Sequence, residues 1–343
     1  MTNPDKNRVA EDGASAPRTV CVAGASGLVG SNIVKACLAR GWTVHGTMRD
    51  STDPNKTPYL EALPGAHDRL RLFSAEMANE GSFDAATEGI DGVFVACLIP
   101  TYEGPSGKPA RQMDDEQGYA EIIMPTVNGC LNILRSANRN GVKKVVICSS
   151  TSSTNPVPCP PVKNEVDHWS DEAEQCRAKK YTSATKTVME KAAFRFAGEH
   201  HIRMCVFCPT MMLGPVVMPE QIPGGLRQLA LGEPWHKKIP NDSVSMIDLR
   251  DLSAMFLAAY ESPDACGRYF GVYDSWHWAD IYSALKEILP DMEMPAPHDG
   301  ERVTATGFDH TRKESLGVPL RDIPTILHDT IEWIKTDPFA SWR

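Results

Sequence analysis

One glycine-rich segment near the start of the chain limits the folds that the whole sequence can adopt. The apolar residues 19–23 are followed by Gly24, Gly27 and Gly30, and apolar side chains then return at helical spacing. This order predicts a strand, a tight turn and a helix, although a glycine turn without a ligand is the simpler alternative. Glycine permits the backbone angles of such a turn and lets a ligand approach the main chain. The free N–H groups at the start of the helix favour a pyrophosphate. The residues expected to contact it are Gly24, Ser26, Gly27, Leu28, Val29 and Gly30.

The overall composition fits a folded protein that acts on a small molecule. With 343 residues and 42% hydrophobic content, the chain is long enough for one large α/β unit or for two domains. A formal net charge of −9, without a block rich in lysine and arginine, argues against nucleic acid or an anionic membrane as the main partner. Residues 1–17 are polar and lack an apolar stretch as long as a signal peptide or membrane span. We expect a mobile tail on a soluble, cytoplasmic protein.

The ten cysteines predict neither a disulfide framework nor a metal site. Several of them lie in apolar stretches, where a reduced thiol packs as a small hydrophobic group. Cys205 and Cys208 have the spacing of a metal or redox motif, but residues three apart in a strand point to opposite faces. No metal is expected.

Strand and helix patterns alternate up to residue 215. Strands are predicted at 19–23, 42–49, 69–75, 92–98, 143–150 and 202–208, and helices at 29–38, 82–88, 119–140 and 172–199. This alternation is typical of an α/β fold with a doubly wound parallel sheet of the Rossmann type. The sixth strand is expected to complete the sheet, so that residues 18–215 form the nucleotide-binding domain.

Proline and glycine become frequent after residue 215, and the pattern loosens. We expect residues 216–343 to form mainly a smaller substrate-binding part, with some segments that return to the Rossmann core. The elements predicted there are a helix starting at 245 and ending near 261, a strand at 268–273, and helices at 276–289 and 324–335. The loops 98–118 and 211–240 are expected to set the substrate, and their methionine and aromatic residues favour an apolar or aromatic one.

The end of the second strand indicates which nicotinamide nucleotide binds. An acidic residue there would bind the adenosine ribose of NAD, but Thr47, Met48 and Arg49 are not acidic. The guanidinium of Arg49 can bind the 2′-phosphate of NADP through two charge-assisted hydrogen bonds, and Lys56 is a second candidate cation. The alternative is that both are solvated surface charges. The sequence thus favours NADP(H).

Ten short segments carry a specific resemblance, which as a whole spans roughly residues 18 to 337. They are GASGLVG, TMRD, EGSFDAATEGIDGVFVA, PTVNGCLNIL, VVICSS, EVDHWSDEAEQC, KTVMEKAAF, PTMMLGP, MIDLRDL and ESPDACGRYFGV. Together they resemble the extended short-chain dehydrogenases/reductases of the NAD-dependent epimerase/dehydratase type, within the group of dihydroflavonol and cinnamoyl-CoA reductases. The resemblance implies a Rossmann-type sheet, an NADPH cofactor and reduction of a ketone or aldehyde to an alcohol. The oligomeric state, monomer or homodimer, stays open.

The same resemblance implies roles for individual residues. Ser150, rather than its neighbour Ser149, binds the carbonyl oxygen of the substrate. A tyrosine donates the proton, while Lys186 holds the nicotinamide ribose and lowers the pKa of that tyrosine. Further cofactor contacts are implied at Glu76, where the family usually has aspartate, and at Met77, Val95, Ala96, Cys97, Pro209 and Thr210.

The tyrosine itself does not have the family spacing. The family tyrosine precedes the lysine by four residues, a position that Thr182 occupies here, whereas Tyr181 lies five residues before Lys186. In a regular helix an offset of four separates two side chains by about 40°, and an offset of five by about 140°.

Three interpretations of this spacing are open. A π-bulge, or a helix that begins only after Tyr181, returns the phenol to the site, and on this expectation Tyr181 is the proton donor. Alternatively Thr182 occupies the position and another group supplies the proton. Thirdly, the protein binds NADP(H) without reducing a substrate. An epimerase, dehydratase or isomerase that retains NADP(H) is a further alternative.

Overall fold

A seven-stranded sheet, with all its neighbouring strands parallel, runs through the centre of the structure. The structure is a computed structural model that describes residues 18–340, so the expectation for the tail 1–17 lies outside the described residues. The strand order is β10-β7-β5-β4-β1-β2-β3. The α/β fold with a parallel, Rossmann-type sheet is therefore confirmed.

The strands of this sheet and of two smaller sheets are short. They are β1 (Thr19–Ala23), β2 (Thr43–Met48), β3 (Leu70–Ser74), β4 (Gly92–Val95), β5 (Lys144–Cys148), β6 (Val162–Lys163), β7 (Arg203–Pro209), β8 (Met211–Leu213), β9 (Ser243–Asp248), β10 (Gly267–Gly271), β11 (Asp274–His277) and β12 (Gly307–Phe308). Strands β8, β9 and β11 form a three-stranded sheet, and β6 pairs with β12.

The helices range from single turns to a 19-residue helix. They are α1 (Leu28–Ala39), α2 (Thr57–Glu61), α3 (Ala66–Arg69), α4 (Asp84–Thr87), α5 (Asp115–Gly118), α6 (Met124–Arg139), α7 (Glu172–Arg177), α8 (Tyr181–Glu199), α9 (Gly224–Ala230), α10 (Leu249–Glu261), α11 (Trp278–Ile288), α12 (Thr311–Glu314) and α13 (Ile323–Lys335). A π-helical segment, Tyr119–Ile123, joins α5 to α6, and short 3-10 turns cover Ala110–Gln112, Thr151–Ser153 and Pro219–Gln221. Within residues 18–340, the helices include none long and apolar enough to cross a bilayer.

Helices cover both faces of the large sheet because its strands carry apolar side chains on both faces. In β1, Cys21 and Ala23 belong to a core with α6 and α8, whereas Val20 and Val22 belong to the opposite core with α1 and α10. Burying each aliphatic side chain of this size contributes roughly 1.5–3 kcal/mol, which explains why such continuous apolar runs form central strands. A third core lies between α9, α11 and α13.

Four sequence predictions of the elements need correction. The sheet is not complete at residue 208, because β10 pairs with β7 as a seventh strand. The segment 243–248, expected to be partly helical, is strand β9, and α10 begins only at Leu249. The helix predicted at 119–140 starts with the π-helical segment. The helix predicted at 172–199 is broken between α7 and α8, where Lys179 has a φ of 56°.

Candidate active site

The turn between β1 and α1 has no room for side chains at two of its glycines. A Cβ atom at Gly30 would lie 2.0 Å from the carbonyl oxygen of Gly24, and one at Gly24 would lie 2.7 Å from Cβ of Cys97. Gly24 also has a φ of 87°, which favours glycine. The N–H groups of Gly24 and Ala25 donate to the carbonyl of Thr47 at 3.1 and 2.8 Å, so the end of β2 holds the turn in place. The turn therefore presents bare backbone at the edge of the sheet.

The first turn of α1 is suited to an anion. Gly27 precedes the helix, no side chain caps its N-terminus, and the first turn holds no acidic residue. Its N–H groups and the positive end of the helix dipole are thus left for a ligand. Together with the missing side chains at Gly24 and Gly30, this cradle fits the pyrophosphate of a dinucleotide.

A cavity of about 730 Å³ opens beside this turn. Its walls are formed by Gly24, Ser26, Gly27, Thr47, Met48, Arg49, Asp50, Asp53, Lys56, Ala75, Glu76, Met77, Phe83, Ala96, Cys97, Ile99 and Thr101. The expected cofactor residues Leu28, Val29 and Val95 are outside this wall, and the last two are buried in the core. The size and position fit the adenosine half of a dinucleotide.

Two cations and two carboxylates share the mouth of this cavity. The side chains of Arg49 and Lys56 make no hydrogen bond or ion pair with other residues of 18–340. Asp50 instead accepts hydrogen bonds from the N–H and the hydroxyl of Thr52, at 2.8 and 2.7 Å, which lower the pKa of its carboxyl group. Asp53 accepts from the N–H of Asn55 at 2.9 Å. The carboxylates are engaged in turns, while the cations stay available to a phosphate.

The third strand ends beside the cavity, and Glu76 and Met77 after it form part of the wall. The N–H of Glu76 donates to the hydroxyl of Ser82 at 2.7 Å, and the carbonyl of Met77 accepts from the side-chain amide of Asn132 at 2.9 Å. Met77 also packs against Gly129, where a Cβ atom would lie only 2.9 Å from Cβ of Met77. These contacts fix the loop that closes one side of the cavity.

The two serines after β5 have different surroundings. Ser149 is buried and donates to the carboxylate of Glu190. Ser150 is partly exposed, and its hydroxyl oxygen accepts from the N–H of Ser152 at 3.2 Å. The hydroxyl proton of Ser150 has no acceptor among residues 18–340. Ser150 can therefore donate to a substrate oxygen, whereas Ser149 is occupied.

Lys186 lies on α8 with its side chain buried, and its ammonium donates to the carbonyl of Leu98 at the end of β4. It makes no ion pair with a carboxylate of residues 18–340. Burial therefore lowers the pKa of the ammonium, although nearby Cys148, Glu190 and other groups oppose this shift. Its charge acts on Cys97, which lines the cavity beside the glycine turn.

Tyr181 is directed to a different group of residues. Its hydroxyl donates to Asp115 at 2.7 Å and accepts from the ammonium of Lys179 at 3.0 Å, and the ring is fully buried against Gly118. Burial is the main cause that raises the pKa of this phenol. Helix α8 is α-helical from Tyr181 onward, without a π-helical turn.

The structure thus does not support the expectation that Tyr181 returns to the catalytic face and donates the proton. The position four residues before Lys186 belongs to Thr182, which is partly exposed. Its hydroxyl makes no hydrogen bond with other residues of 18–340. Pro209 is the last residue of β7 and Thr210 follows it, and the Thr210 hydroxyl accepts from Ser245 at 3.2 Å.

A buried ion pair behind the serines was missed by the sequence reasoning. Arg268 of β10 lies with Nε 2.9 Å from a carboxylate oxygen of Glu190, and both side chains are almost fully buried. Arg268 also donates to the carbonyl and the hydroxyl of Ser153, at 3.1 and 3.0 Å, and its guanidinium stacks 3.7 Å from the centre of the Trp169 ring. The pair connects the segment after Ser150 to α8 and β10. The sequence signal that could have revealed this pair is a charged residue within each of two otherwise apolar segments.

A second large cavity, of about 820 Å³, lies beside the segments that carry Ser150 and Thr182. Its walls are formed by Ser152, Asn155, Pro156, Val157, Cys159, Asp171, Glu174, Gln175, Arg177, Ala178, Lys180 and Ser183. None of these residues belongs to the two loops expected to set the substrate. Two residues of those loops, Ile99 and Thr101, instead line the cavity beside the glycine turn.

Comparison with known proteins places these features in a family context. The family model described as the NAD dependent epimerase/dehydratase family matches residues 20–270. A cinnamoyl-CoA reductase of Medicago truncatula is 31% identical over 330 residues, covering 94% of this chain and 97% of that protein. A bifunctional dihydroflavonol 4-reductase/flavanone 4-reductase of Malus domestica is 34% identical over 294 residues, covering 83% of this chain and 80% of that protein.

Solved structures show the same fold. Vestitone reductase from alfalfa has a TM-score of 0.75 at 24% identity, covering 94% of this chain and 99% of that one. A yeast methylglyoxal/isovaleraldehyde reductase in complex with NADPH also has a TM-score of 0.75, at 21% identity, covering 93% of this chain and 99% of that one. The similarity therefore extends across both the large sheet and the C-terminal part.

Proposed function

The chain belongs to the NAD-dependent epimerase/dehydratase family and is an oxidoreductase of the extended short-chain dehydrogenase/reductase type, and from this premise we propose that it reduces a ketone or aldehyde to an alcohol with NADPH. The observation that carries the proposal is the hydroxyl of Ser150. The hydroxyl oxygen of Ser150 accepts a hydrogen bond from the N–H of Ser152, while its proton has no acceptor within residues 18–340. Ser150 follows β5, the strand next to β4 in the sheet. A hydroxyl in this state can donate to a carbonyl oxygen.

The cofactor part of the proposal depends on the glycine turn and the cations. The backbone of Gly24, Gly27 and Gly30 would hold the pyrophosphate, and Arg49, with Lys56 nearby, would bind the 2′-phosphate of the adenosine ribose. The wall around Glu76, Met77, Ala96 and Cys97 would enclose the adenosine. When bound, NADPH supplies a hydride at the nicotinamide ring.

The protein's own groups polarise and position the substrate. Ser150 would donate a hydrogen bond to the carbonyl oxygen and so favour the negative charge that develops there. Lys186 would hold the nicotinamide ribose. Tyr181 has no part in this proposal, because its hydroxyl is bound to Asp115 and Lys179.

The substrate would enter through the second cavity. Pro156, Val157 and Ala178 give its wall an apolar portion, and the exposed Val157 side chain lies at the surface. The related proteins are named for dihydroflavonol, flavanone and cinnamoyl-CoA substrates, all of which carry an aromatic ring. We propose an apolar or aromatic carbonyl compound as the substrate of this chain.

The test is a measurement of cofactor consumption by the purified protein. A panel of aromatic ketones and aldehydes, a dihydroflavonol and cinnamoyl-CoA is incubated with NADPH or NADH, and NADPH loss and alcohol formation are both quantified. The proposal expects one NADPH oxidised for each alcohol formed from a ketone or aldehyde. For cinnamoyl-CoA it expects one NADPH for each aldehyde and free CoA released, and a second NADPH if that aldehyde is reduced to the alcohol. The Ser150→Ala variant should lose roughly 10²-fold in kcat while binding NADPH normally. Conversion of a substrate without net NADPH loss would instead indicate an epimerase, dehydratase or isomerase.

A further inference from the structure

The ammonium of Lys186 is buried without a carboxylate partner among residues 18–340, which is unusual for a cation. Its recorded hydrogen bond goes to the carbonyl of Leu98. The titratable groups that face it come from every element packed around it: Cys97 after β4, Cys130 of α6, Cys148 of β5, Glu190 of α8 and Cys208 of β7. A buried lysine in such surroundings holds its third proton less firmly than a lysine in water.

The groups around Lys186 do little to stabilise its charge. Burial raises the pKa of Cys148 to about 11 and the pKa values of Cys97 and Cys130 to about 12, and it also raises that of Cys208, so all four thiols are neutral near pH 7. Burial likewise raises the pKa of Glu190, whose carboxyl group is bound by Arg268 and Ser149. Desolvation therefore outweighs these charges and lowers the pKa of Lys186.

The usual position of the family acid holds no phenol in this chain. Thr182 lies one helical turn before Lys186 on the same side of α8, with a hydroxyl that is unpaired within residues 18–340. A threonine hydroxyl is too weak an acid to protonate the product alkoxide by itself, but it can accept one proton while it donates another. A relay through Thr182 therefore needs a true acid behind it.

We propose that Lys186 is the general acid of this protein and that the Thr182 hydroxyl relays its proton to the substrate. This inference rests on the proposed reductase function. After hydride has reached the carbonyl carbon, the alkoxide oxygen takes the proton of the Thr182 hydroxyl as a new O–H bond forms. The Thr182 oxygen takes a proton from Nζ of Lys186, whose N–H bond breaks and leaves a neutral amine. Solvent then reprotonates the amine, and no further oxidant or reductant is needed.

The first test measures the proton on Lys186 in the cofactor-free protein. The full chain is labelled with [13C,15N]lysine, and the Cε and Nζ signals are followed by NMR through a pH titration, with the Lys186→Arg variant assigning the signal. The proposal expects Lys186 to titrate well below the ordinary lysine pKa of about 10.4. Titration at or above that value would overturn it, since the amine would then be a worse acid than a solvent-exposed lysine.

The second test compares variants by kinetics. Thr182→Val should lower kcat by roughly 10- to 100-fold with little change in KM, and Thr182→Ser should restore most of the loss. Lys186→Arg keeps the charge but removes the titratable proton, so its kcat at saturating NADPH should fall roughly 10²-fold. The affinity of this variant for NADPH is measured by cofactor fluorescence to set the saturating concentration, because Lys186 also holds the nicotinamide ribose in the proposed function. Full activity of either Thr182→Val or Lys186→Arg would overturn the relay.

The matched control is Tyr181→Phe, which removes the neighbouring phenol and leaves Thr182 and Lys186 in place. For the wild type, kcat/KM for reduction should be constant at lower pH and fall as pH rises through the pKa of Lys186, because the acid must be protonated. The Tyr181→Phe profile should have the same alkaline limb. If Tyr181→Phe lost that alkaline limb, or lost 100-fold in kcat, the proton relay would be overturned and Tyr181 restored as the acid, while the proposed reductase function would stand. A wild type that binds NADPH but reduces no carbonyl compound would overturn both proposals.

Discussion

The choice between NADPH and NADH should depend on one side chain at the end of β2. Replacing Arg49 by alanine removes a guanidinium that lines the nucleotide cavity and makes no hydrogen bond or ion pair with other residues of 18–340. Since no partner of Arg49 is left unpaired, the substitution should not disturb the fold. Its effect should be confined to the ligand that carries the 2′-phosphate.

The size of the effect follows from the exposure of the site. A hydrogen bond to a charged group contributes about 1.5–3 kcal/mol, and a guanidinium can form two of them with one phosphate. Because Arg49 is exposed and water screens the charges, we take about 1.5–3 kcal/mol for the pair together. At about 1.4 kcal/mol for each factor of ten, Arg49→Ala should weaken NADPH binding roughly 10- to 100-fold. NADH binding should stay the same.

The neighbouring carboxylate provides a control of opposite sign. Asp50 lies in the same cavity wall, and its hydrogen bonds with Thr52 keep it ionised, so it repels a bound phosphate. Asp50→Asn should therefore tighten NADPH binding a few-fold without affecting NADH. Both variants are titrated with each cofactor by fluorescence at two salt concentrations. Equal losses for NADPH and NADH in Arg49→Ala would refute the assignment of the 2′-phosphate site, as would an unchanged NADPH affinity.

Substitutions at three further positions test the architecture around the site. Gly30→Ala should abolish binding of either cofactor and lower the stability by at least about 1–3 kcal/mol, because the new Cβ would overlap the carbonyl of Gly24. Dinucleotide titration and thermal unfolding test this prediction, and normal binding would contradict it. Glu190→Ala should cost about 3–5 kcal/mol in a denaturant titration, since Arg268 is left buried and unpaired, and a cost below about 1 kcal/mol would show that the ion pair is not what the structure indicates. Tyr181→Ala should lower the melting temperature strongly through the cavity that the buried ring leaves, and Tyr181→Phe only slightly; the reverse order would contradict a packing role for the ring.

The parts of the fold that could be predicted from the sequence depend on local patterns. The strand, turn and helix around Gly24 follow from apolar runs and glycine spacing within 16 residues, and the structure has β1, a turn and α1 there. Most other strands of the large sheet were located to within a few residues for the same reason. A buried parallel strand is a continuous apolar run, and such a run is visible without any knowledge of its neighbours.

The features that were missed depend on distant contacts. Strand β10 joins the sheet only because β7 offers it a parallel edge about 60 residues earlier in the chain, which no local pattern reveals. The break before α8 involves Lys179 at a positive φ, a conformation that sequence signals assign to glycine or asparagine. The direction of Tyr181 is set by Asp115, 66 residues away, so spacing alone left it undecided.

The candidate site also has parts that could be predicted from local sequence and parts that depend on distant contacts. The glycine turn could be predicted from local spacing because it acts through its backbone, and Lys186 was assigned from the KTVMEKAAF segment that begins with it. Whether Ser149 or Ser150 is free for the substrate depends on Glu190 and Ser152, which only the folded chain brings to them. The same applies to the large cavity beside Ser150, whose wall comes from two segments of the chain.

The central claim, that this chain reduces a carbonyl compound without the phenol of Tyr181, is tested most directly by isotope transfer. NADPH carrying deuterium at both C4 positions is supplied with a substrate identified in the panel, and the alcohol is analysed by mass spectrometry for the wild type and Tyr181→Phe. We predict one deuterium on the carbinol carbon for each hydride transferred, at similar rates in both proteins. An alcohol without deuterium, or a Tyr181→Phe protein that transfers none, would contradict the claim.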